Sequence, residues 1–209
     1  MITRSPILVA AAVACAALVA RPRAANALLL DARVGLAAPA QGNLEDDLGL
    51  DVGLGAGASL GFELAEFLAI DLRYDALLLY GSAADGVDST WMSHAVTLGP
   101  ELELRWDAFE LYVGAHPGVY FTQLGLDAEL RREIDVDTDW SIDFGLNAEL
   151  GARWFLSDRF FLGAEAAYHL VLVNDDHWGF DVEGAEFEGG PIDESVGALT
   201  FGMTVGYRF

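Results

Sequence analysis

The nine residues Phe201-Gly202-Met203-Thr204-Val205-Gly206-Tyr207-Arg208-Phe209 decide the fold class of this chain. Apolar side chains occupy every second position, and glycine, threonine or arginine stands between them. A period of two places successive side chains on opposite faces of a β-strand. The segment therefore predicts a strand with one apolar face and one polar face, ending on an aromatic residue.

Seven further segments show the same alternation, and with the last one they predict eight strands. Their approximate ranges are 28–38, 48–64, 67–80 and 90–106, then segments that begin at Phe109, end at Trp154 and begin at Phe160, and finally 196–209. No stretch after residue 27 is an uninterrupted apolar run of the ~20 residues that a transmembrane helix needs. The 53% hydrophobic content is therefore used in alternating strands.

The connections between these segments alternate in length. Three are tight, at Ala65-Glu66, Asp107-Ala108 and Leu156 to Arg159; four are long, at about 39–47, 81–89, 122–139 and 173–195. Aromatic residues on the apolar faces flank the tight turns and predict a girdle at a membrane interface. They are Phe62, Trp106, Phe109, Trp154, Phe160, Tyr207 and Phe209. A second girdle on the long-loop side is predicted from Tyr80, Phe121, Trp140 and Tyr168.

This combination of terminal phenylalanine, alternation, girdles and turn lengths resembles the small eight-stranded outer-membrane barrels, such as the OmpA membrane domain, OmpX and OmpW. The resemblance covers about residues 28–209. It implies an all-β, antiparallel, up-and-down transmembrane β-barrel in a bacterial outer membrane, monomeric, with lipid and lipopolysaccharide around it. It also implies an assembly signal read by the barrel-insertion machinery, carried by Phe201, Met203, Val205, Tyr207 and Phe209.

A soluble barrel of the lipocalin type would show the same alternation with its apolar face turned inward. The aromatic girdles, the terminal phenylalanine and the absence of charge on the apolar face favour the membrane barrel. The sheet is expected to close into a barrel because lipid offers no hydrogen-bond partners, and an open sheet would leave the backbone groups of its edge strands unpaired.

The first 27 residues predict a cleaved signal peptide. Arg4 supplies the positive charge at the start of such a peptide. Residues 7–20 form an apolar region that is too short to span a bilayer, and Ala25-Asn26-Ala27 is a cleavage site of small residues. The alternative, a lipoprotein cut before Cys15, fits poorly because Ala12 stands where such a site prefers leucine or valine. Cleavage after Ala27 leaves a chain without cysteine, and so without disulfides.

The chain carries 33 acidic residues against 11 arginines, a net charge of −22. Removal of the leader takes away three arginines and no acids, which moves the charge to −25. Nucleic-acid binding requires cationic contacts to phosphate, so this charge excludes nucleic acid as a partner.

The polar face of the strands points into the predicted barrel and mixes arginines with carboxylates. The candidate network is Arg33, Arg73, Asp75, Glu101, Glu103, Arg105, Glu149, Arg153 and Arg208. Eight strands enclose just enough room for side chains, so an ion-paired plug is predicted. The alternative is a narrow cation path lined by the excess carboxylates. An apolar ligand channel of the OmpW kind is disfavoured, because the inward face reads as polar and glycine-rich.

The long loops are acidic, above all around 127–139 and 175–194. Asp135, Asp137 and Asp139 resemble the start of an EF-hand loop, but Trp140 replaces the turn glycine and Leu146 the bidentate glutamate. These carboxylates are interpreted as a solvated strand edge. The alternative hypothesis is that they loosely hold divalent cations, which bridge to lipopolysaccharide phosphates.

Four histidines are candidate catalytic residues: His94, His116, His169 and His177. Outer-membrane lipid deacylases, which share this architecture, place a histidine and a serine two residues apart on the outer face. Here His94 has Met92 and Val96 as its same-face neighbours, so no such pair is formed. We predict no catalytic residues, no cofactor and no metal site.

Two local features give further predictions. Alternation through Ile134 and Val136 predicts a hairpin over 124–138 that rises above the membrane, with a parity slip near Gln123. The turn near 107–108 brings Pro100 close to Pro117 and sets Gly99 opposite His116. Proline cannot donate to a strand ladder, so these three residues, Pro100, Pro117 and His116, define a candidate lateral seam with thin hydrogen bonding and a bulge.

The function predicted from the sequence is a structural or surface-contact role, in envelope integrity or adhesion. The alternatives are a narrow small-solute or cation channel and, second, a lipid-modifying enzyme.

Overall fold

The computed structural model describes residues 27–41, 49–83, 87–126, 140–172 and 195–209. These residues form eight strands: β1 (Leu28–Gln41), β2 (Gly53–Ala65), β3 (Leu68–Ala83), β4 (Val87–Trp106), β5 (Phe109–Leu126), β6 (Ser141–Phe155), β7 (Phe160–Leu172) and β8 (Val196–Arg208). Each strand pairs antiparallel with its chain neighbours, and β8 pairs with β1, so the sheet is a closed barrel. The predicted eight-stranded fold is confirmed. The described residues contain no helix long and apolar enough to cross a membrane.

The barrel is apolar outside and largely polar inside, the inverse of a soluble protein. On β8, Phe201 is 57% exposed and Met203 69%, whereas Thr204 and Arg208 are buried. Phe209 follows the strand and donates its backbone N–H to the carbonyl of Leu28 over 2.9 Å. Exposed apolar area on this scale needs an apolar surrounding, which excludes the lipocalin-like alternative.

The tight turns, the start of β1 at Leu28, Phe209 and the first aromatic girdle lie at one end of the barrel, here called the turn side. The turns are Glu66–Phe67, Asp107–Ala108 and residues 156–159. Asp107 adopts a positive φ of 48°, which aspartate tolerates. Outward Trp106 and Phe109 stack at 6.5 Å across their turn, and Phe67, which the sequence analysis did not name, adds a ring that is 53% exposed.

The start of the second strand was predicted wrongly. Alternation through the segment 48–64 predicts that Leu50 lies on the outward face of the strand, but β2 begins at Gly53. Leu50 is fully buried and forms an isolated bridge with Gly81. Gly49 has a positive φ of 57°, a conformation open to glycine, and this turns the chain so that Leu50 faces inward.

The interior has three levels along the barrel axis. The turn-side apolar layer consists of Leu29, Phe155 and Phe161. The loop-side apolar layer lies at the other end and consists of Ala37, Leu50, Leu77, Leu79, Trp91, Ala95, Tyr120, Val171, Val196 and Ala198. Charged side chains, here called the ionic belt, fill the middle. The inward face, which the sequence predicts to be polar and glycine-rich, is therefore apolar at both ends.

Several sequence predictions fall outside the described residues. These are the signal peptide, the acidic stretches of 127–139 and 173–194, and the protruding part of the predicted hairpin. β5 does continue to Leu126, and its register with β4 is constant from Gly118 to that residue, so the expected slip near Gln123 is not present in this pairing.

Candidate functional site

Arg153 is the centre of the turn-side half of the ionic belt. It lies on β6 with only 4% of its surface exposed. Its guanidinium donates to both carboxylate oxygens of Glu101, at 2.8 and 3.0 Å, and to Glu110 at 2.9 Å and Glu103 at 3.4 Å. The guanidinium also lies 3.9 Å from the centre of the Tyr112 ring. One cation therefore holds three carboxylates from β4 and β5.

Two arginines form the second half of the belt, closer to the loop side. Arg73 donates to Glu165 at 2.6 Å and contacts Glu149. Arg33 donates to Asp75 and to Asp31, each at 3.1 Å. These contacts join β1, β3, β6 and β7 across the lumen.

Arg73 and Arg33 share their acidic partners, because Asp75 and Glu165 each approach both guanidinium groups. Arg73 Nε lies 3.7 Å from Asp75, and Arg33 Nε lies 3.7 Å from Glu165. Tyr112, which the sequence analysis did not select, donates its hydroxyl to Glu165 at 2.8 Å and links the two halves of the belt.

The remaining two arginines close the belt towards the turn side. Arg105 lies 3.4 Å from Glu110 and 3.4 Å above the ring of Phe155. Arg208 contacts Glu63. All nine residues of the network selected from the sequence thus point into the barrel; eight of them lie within one continuous set of contacts, and Arg208 forms a separate pair with Glu63.

The belt contains more carboxylates than cations. Among the described residues the inward arginines are Arg33, Arg73, Arg105, Arg153 and Arg208. The inward carboxylates are Asp31, Glu63, Asp71, Asp75, Glu101, Glu103, Glu110, Asp143, Glu149 and Glu165. Burying unbalanced charge is costly, so this excess requires protons, water or a bound cation.

The strand ladder between β4 and β5 is interrupted at the two prolines. Pairing runs up to Thr97 opposite Gly118 and resumes at Glu101 opposite Gly114, with three unpaired positions on each strand between. The pairings of Pro100 with β3 and of Pro117 with β6 are present. The register is the same on both sides of the interruption, so the bulge that we expected is absent: the missing proline donors weaken the ladder without shifting it.

The interruption is not an open slit in this structure. Gly99 lies opposite His116, and a Cβ atom placed on Gly99 would collide with the carbonyl oxygen of Ala115. The two backbones are therefore in close contact at the seam, and Pro100 points outward. An opening to lipid would need the strands to move apart.

Three buried side chains lie together directly behind this seam. Asp71 of β3, His116 of β5 and Glu149 of β6 each offer a ligand atom, and these atoms lie within 4.8 Å of one another. Gly99 pairs with Asp71 on one side and faces His116 on the other, and Gly114 pairs with Glu149. The absence of a side chain on Gly114 leaves the space occupied by the side chains of His116 and Glu149 in this cluster, here called the seam triad.

The other described histidines have partners of different kinds. His94 faces outward, accepts or donates a hydrogen bond of 2.7 Å with the Tyr74 hydroxyl, and lies 5.5 Å from the Trp140 ring. His169 faces inward, 3.4 Å from the Tyr120 hydroxyl and 3.3 Å from Asn147. None of the hydrogen bonds described for these histidines involves a serine.

Comparison with known proteins gives one family and several structures. The model of the family described as "Outer membrane protein beta-barrel domain" matches residues 8–209. A search of curated proteins finds no match.

Three solved structures are similar to this chain. OprG of Pseudomonas aeruginosa aligns at a TM-score of 0.56 with 14% identity, covering 90% of this chain and 98% of its own. Ail, the attachment invasion locus protein of Yersinia pestis, in complex with the heparin analogue sucrose octasulfate, aligns at 0.54 with 11% identity, covering 89% and 100%. Neisserial surface protein A aligns at 0.53 with 14% identity, covering 88% and 97%. At these identities the likeness concerns the fold.

Proposed function

This chain belongs to the outer membrane protein β-barrel family, whose model matches residues 8–209. Within this family, we propose that it is a sealed barrel with a structural and surface-contact role. It is an integral protein of the bacterial outer membrane. Its tight turns then lie on the periplasmic side and its long loops outside the cell, as in other barrels of this kind. In this proposal the loops make the surface contacts and the rigid barrel wall supports the envelope, and no solute passes through the lumen.

The observation that carries this proposal is the filling of the interior. Arg73 and Arg153 are each at most 4% exposed and bind carboxylates from several strands. Leu79, Trp91 and Phe161 occupy the apolar layers above and below them and are at most 2% exposed. A hydrated ion crossing such a barrel would have to pass an apolar layer, a dense ionic network and a second apolar layer, which opposes conduction.

The loops give the surface-contact part of the proposal. Residues 173–194 contain eight carboxylates and no arginine. The sulfated ligand of Ail is an anion, and an anion of that kind would be repelled by these loops. We therefore expect this protein to meet either a cationic surface or lipopolysaccharide phosphates bridged by divalent cations, since carboxylate oxygens are the ligands that Ca²⁺ and Mg²⁺ prefer.

A cation channel is the second candidate, favoured by the excess of inward carboxylates. A cavity of about 20 Å³ beside Arg33, Asp75 and Glu165 has room for one water molecule, which is less than a hydrated ion needs. The lipid-modifying enzyme is less favoured, because the described contacts of outward His94 are to Tyr74 and Trp140, not to a serine and an acid.

The loop contact can be tested with the refolded protein in lipid nanodiscs and purified lipopolysaccharide. We expect retention on lipopolysaccharide that requires millimolar Ca²⁺, is reversed by EDTA, and is lost when the acidic residues of 173–194 are replaced by their amides. The matched control replaces Asp107 and Asp158, in the periplasmic turns, by asparagine and should bind normally. Retention that survives both EDTA and loop neutralisation would contradict the proposal.

A further inference from the structure

The seam triad contains buried polar atoms that the protein itself leaves unsatisfied. His116 is fully buried, and neither of its ring nitrogens has a hydrogen-bond partner among the described residues. Asp71 is 2% exposed, and neither of its carboxylate oxygens has a hydrogen bond within the described part of the chain. Burying such groups without partners is costly, so a bound species that satisfies them would stabilise the barrel.

We propose that Asp71, His116 and Glu149 bind one divalent transition-metal ion inside the barrel wall, with Zn²⁺ as the representative ion. An imidazole with two carboxylates is a donor set that suits Zn²⁺ and Fe²⁺ and is less suited to Ca²⁺ or Mg²⁺, which prefer oxygen alone. Three protein ligands also leave a fourth position for water, as in other zinc sites with three protein ligands.

The geometry requires only side-chain adjustment. Zinc–ligand bonds of about 2.0–2.2 Å place tetrahedral ligand atoms roughly 3.3–3.5 Å apart. The three ligand atoms already lie within 4.8 Å of one another, and His116 Nε2 lies 3.8 Å from Glu149 Oε1. Contraction of the site therefore needs movements on the order of 1 Å, within the reach of rotamer changes for Asp71 and Glu149.

Arg73 is the cation that competes for this position. It contacts Glu149 and lies 3.9 Å from Asp71. Arg73 has other partners, however, since it donates to Glu165 at 2.6 Å and lies 3.7 Å from Asp75. When a metal ion takes Glu149, the arginine keeps these two carboxylates, and the ion reduces the excess of negative charge in the belt.

The position of the triad suggests what the ion does. Asp71 lies on β3 beside the interrupted ladder, and His116 and Glu149 lie on the other side of it, on β5 and β6. An ion held by all three ties together the strands on both sides of the two prolines. It would replace, from inside the barrel, the hydrogen bonding that the prolines remove.

The test uses the full barrel without an affinity tag, refolded in detergent with equimolar Zn²⁺ or with EDTA and then desalted. Metal content by mass spectrometry should be about one Zn²⁺ per barrel for the wild type. It should fall at least tenfold in His116→Gln and in Glu149→Gln. His169→Gln, a buried histidine outside the triad, and His177→Gln, in the acidic loop, should keep the ion.

A second measurement uses the temperature at which the folded band in gel electrophoresis converts to the unfolded band. Zn²⁺ should raise it in the wild type and in His169→Gln, and should not change it in Glu149→Gln. Wild-type barrel that retains no Zn²⁺, or triad variants that retain as much as the wild type, would overturn the proposal. Both triad variants keep a polar side chain, so we expect them to fold. The same gel shift verifies their folding before the metal is measured.

Discussion

Replacement of Arg153 by methionine should be among the most damaging single changes in the barrel. Methionine keeps much of the side-chain volume but leaves Glu101, Glu103 and Glu110 without their shared cation, and all three are at most 6% exposed. Removal of one partner from a buried ion pair costs about 3–5 kcal/mol. Four charge-assisted hydrogen bonds meet at this guanidinium, so we expect a loss of at least about 3 kcal/mol in the free energy of unfolding.

The assay is equilibrium unfolding of the barrel in lipid vesicles by denaturant, followed by tryptophan fluorescence. The control is Arg159→Met, because Arg159 lies in an exposed turn and the described hydrogen bond of its guanidinium is to the hydroxyl of Tyr207. Its effect should stay within about 0.5 kcal/mol. Adding Glu101→Gln to Arg153→Met removes one of the stranded charges and should recover roughly 1–3 kcal/mol. An Arg153→Met barrel within 1 kcal/mol of the wild type would refute the claim that the belt is a tight ionic network.

Three further predictions concern the wall and its assembly. Replacing Pro100 and Pro117 by valine restores two backbone donors and should raise the free energy of unfolding by about 1–3 kcal/mol in the same assay; lower stability would contradict the interpretation of the seam. Gly206→Ala should destabilise by about 1–3 kcal/mol, because its Cβ would strike a phenylalanine ring packed over the glycine, whereas Gly61→Ala meets only ordinary contacts and should be tolerated. Deletion of Phe209 should strongly reduce the amount of folded protein in outer-membrane fractions, detected by altered gel migration before boiling; wild-type amounts there would disprove an assembly role.

The strand count and the outward faces were predictable because both depend on a period of two within one strand. The strand order followed from the alternation of short and long connections between successive strands. On β8 and β6 the two faces differ sharply in polarity, so the pattern indicates which face of each strand points toward lipid. The proline seam was also within reach of the sequence, because a two-residue turn at Asp107–Ala108 fixes the register that sets Gly99 opposite His116.

The apolar layers could not be assigned in the same way. The alternation of β3 predicts Leu78 on the outward face, so Leu77 and Leu79 follow on the inward face with Asp71, Arg73 and Asp75. The pattern does not show that these two leucines pack with inward residues of other strands into an apolar layer. Leu50 was misplaced because alternation was extended through Gly49, whose positive φ changes which face the next residue occupies.

The seam triad was beyond sequence reasoning for another reason. Asp71, His116 and Glu149 lie on three strands, and their distance from one another is set by the stagger of strands around the closed barrel. The predicted registers of neighbouring strands would have to be combined across β3, β4, β5 and β6 to bring them together. Gly114, which leaves room for the side chains of His116 and Glu149, was a local signal.

Ionic conductance across planar bilayers tests the sealed barrel most directly. The refolded wild-type protein, inserted from detergent-free vesicles and verified as folded by gel shift, should give no discrete current steps in molar KCl at voltages up to about 100 mV. Substitution of Leu79, Trp91 and Phe161 by glycine, together with Arg153→Met, removes large side chains from both apolar layers and from the ionic belt, and should increase the frequency of current events. Regular cation-selective steps from the wild type would contradict the account and establish the channel alternative.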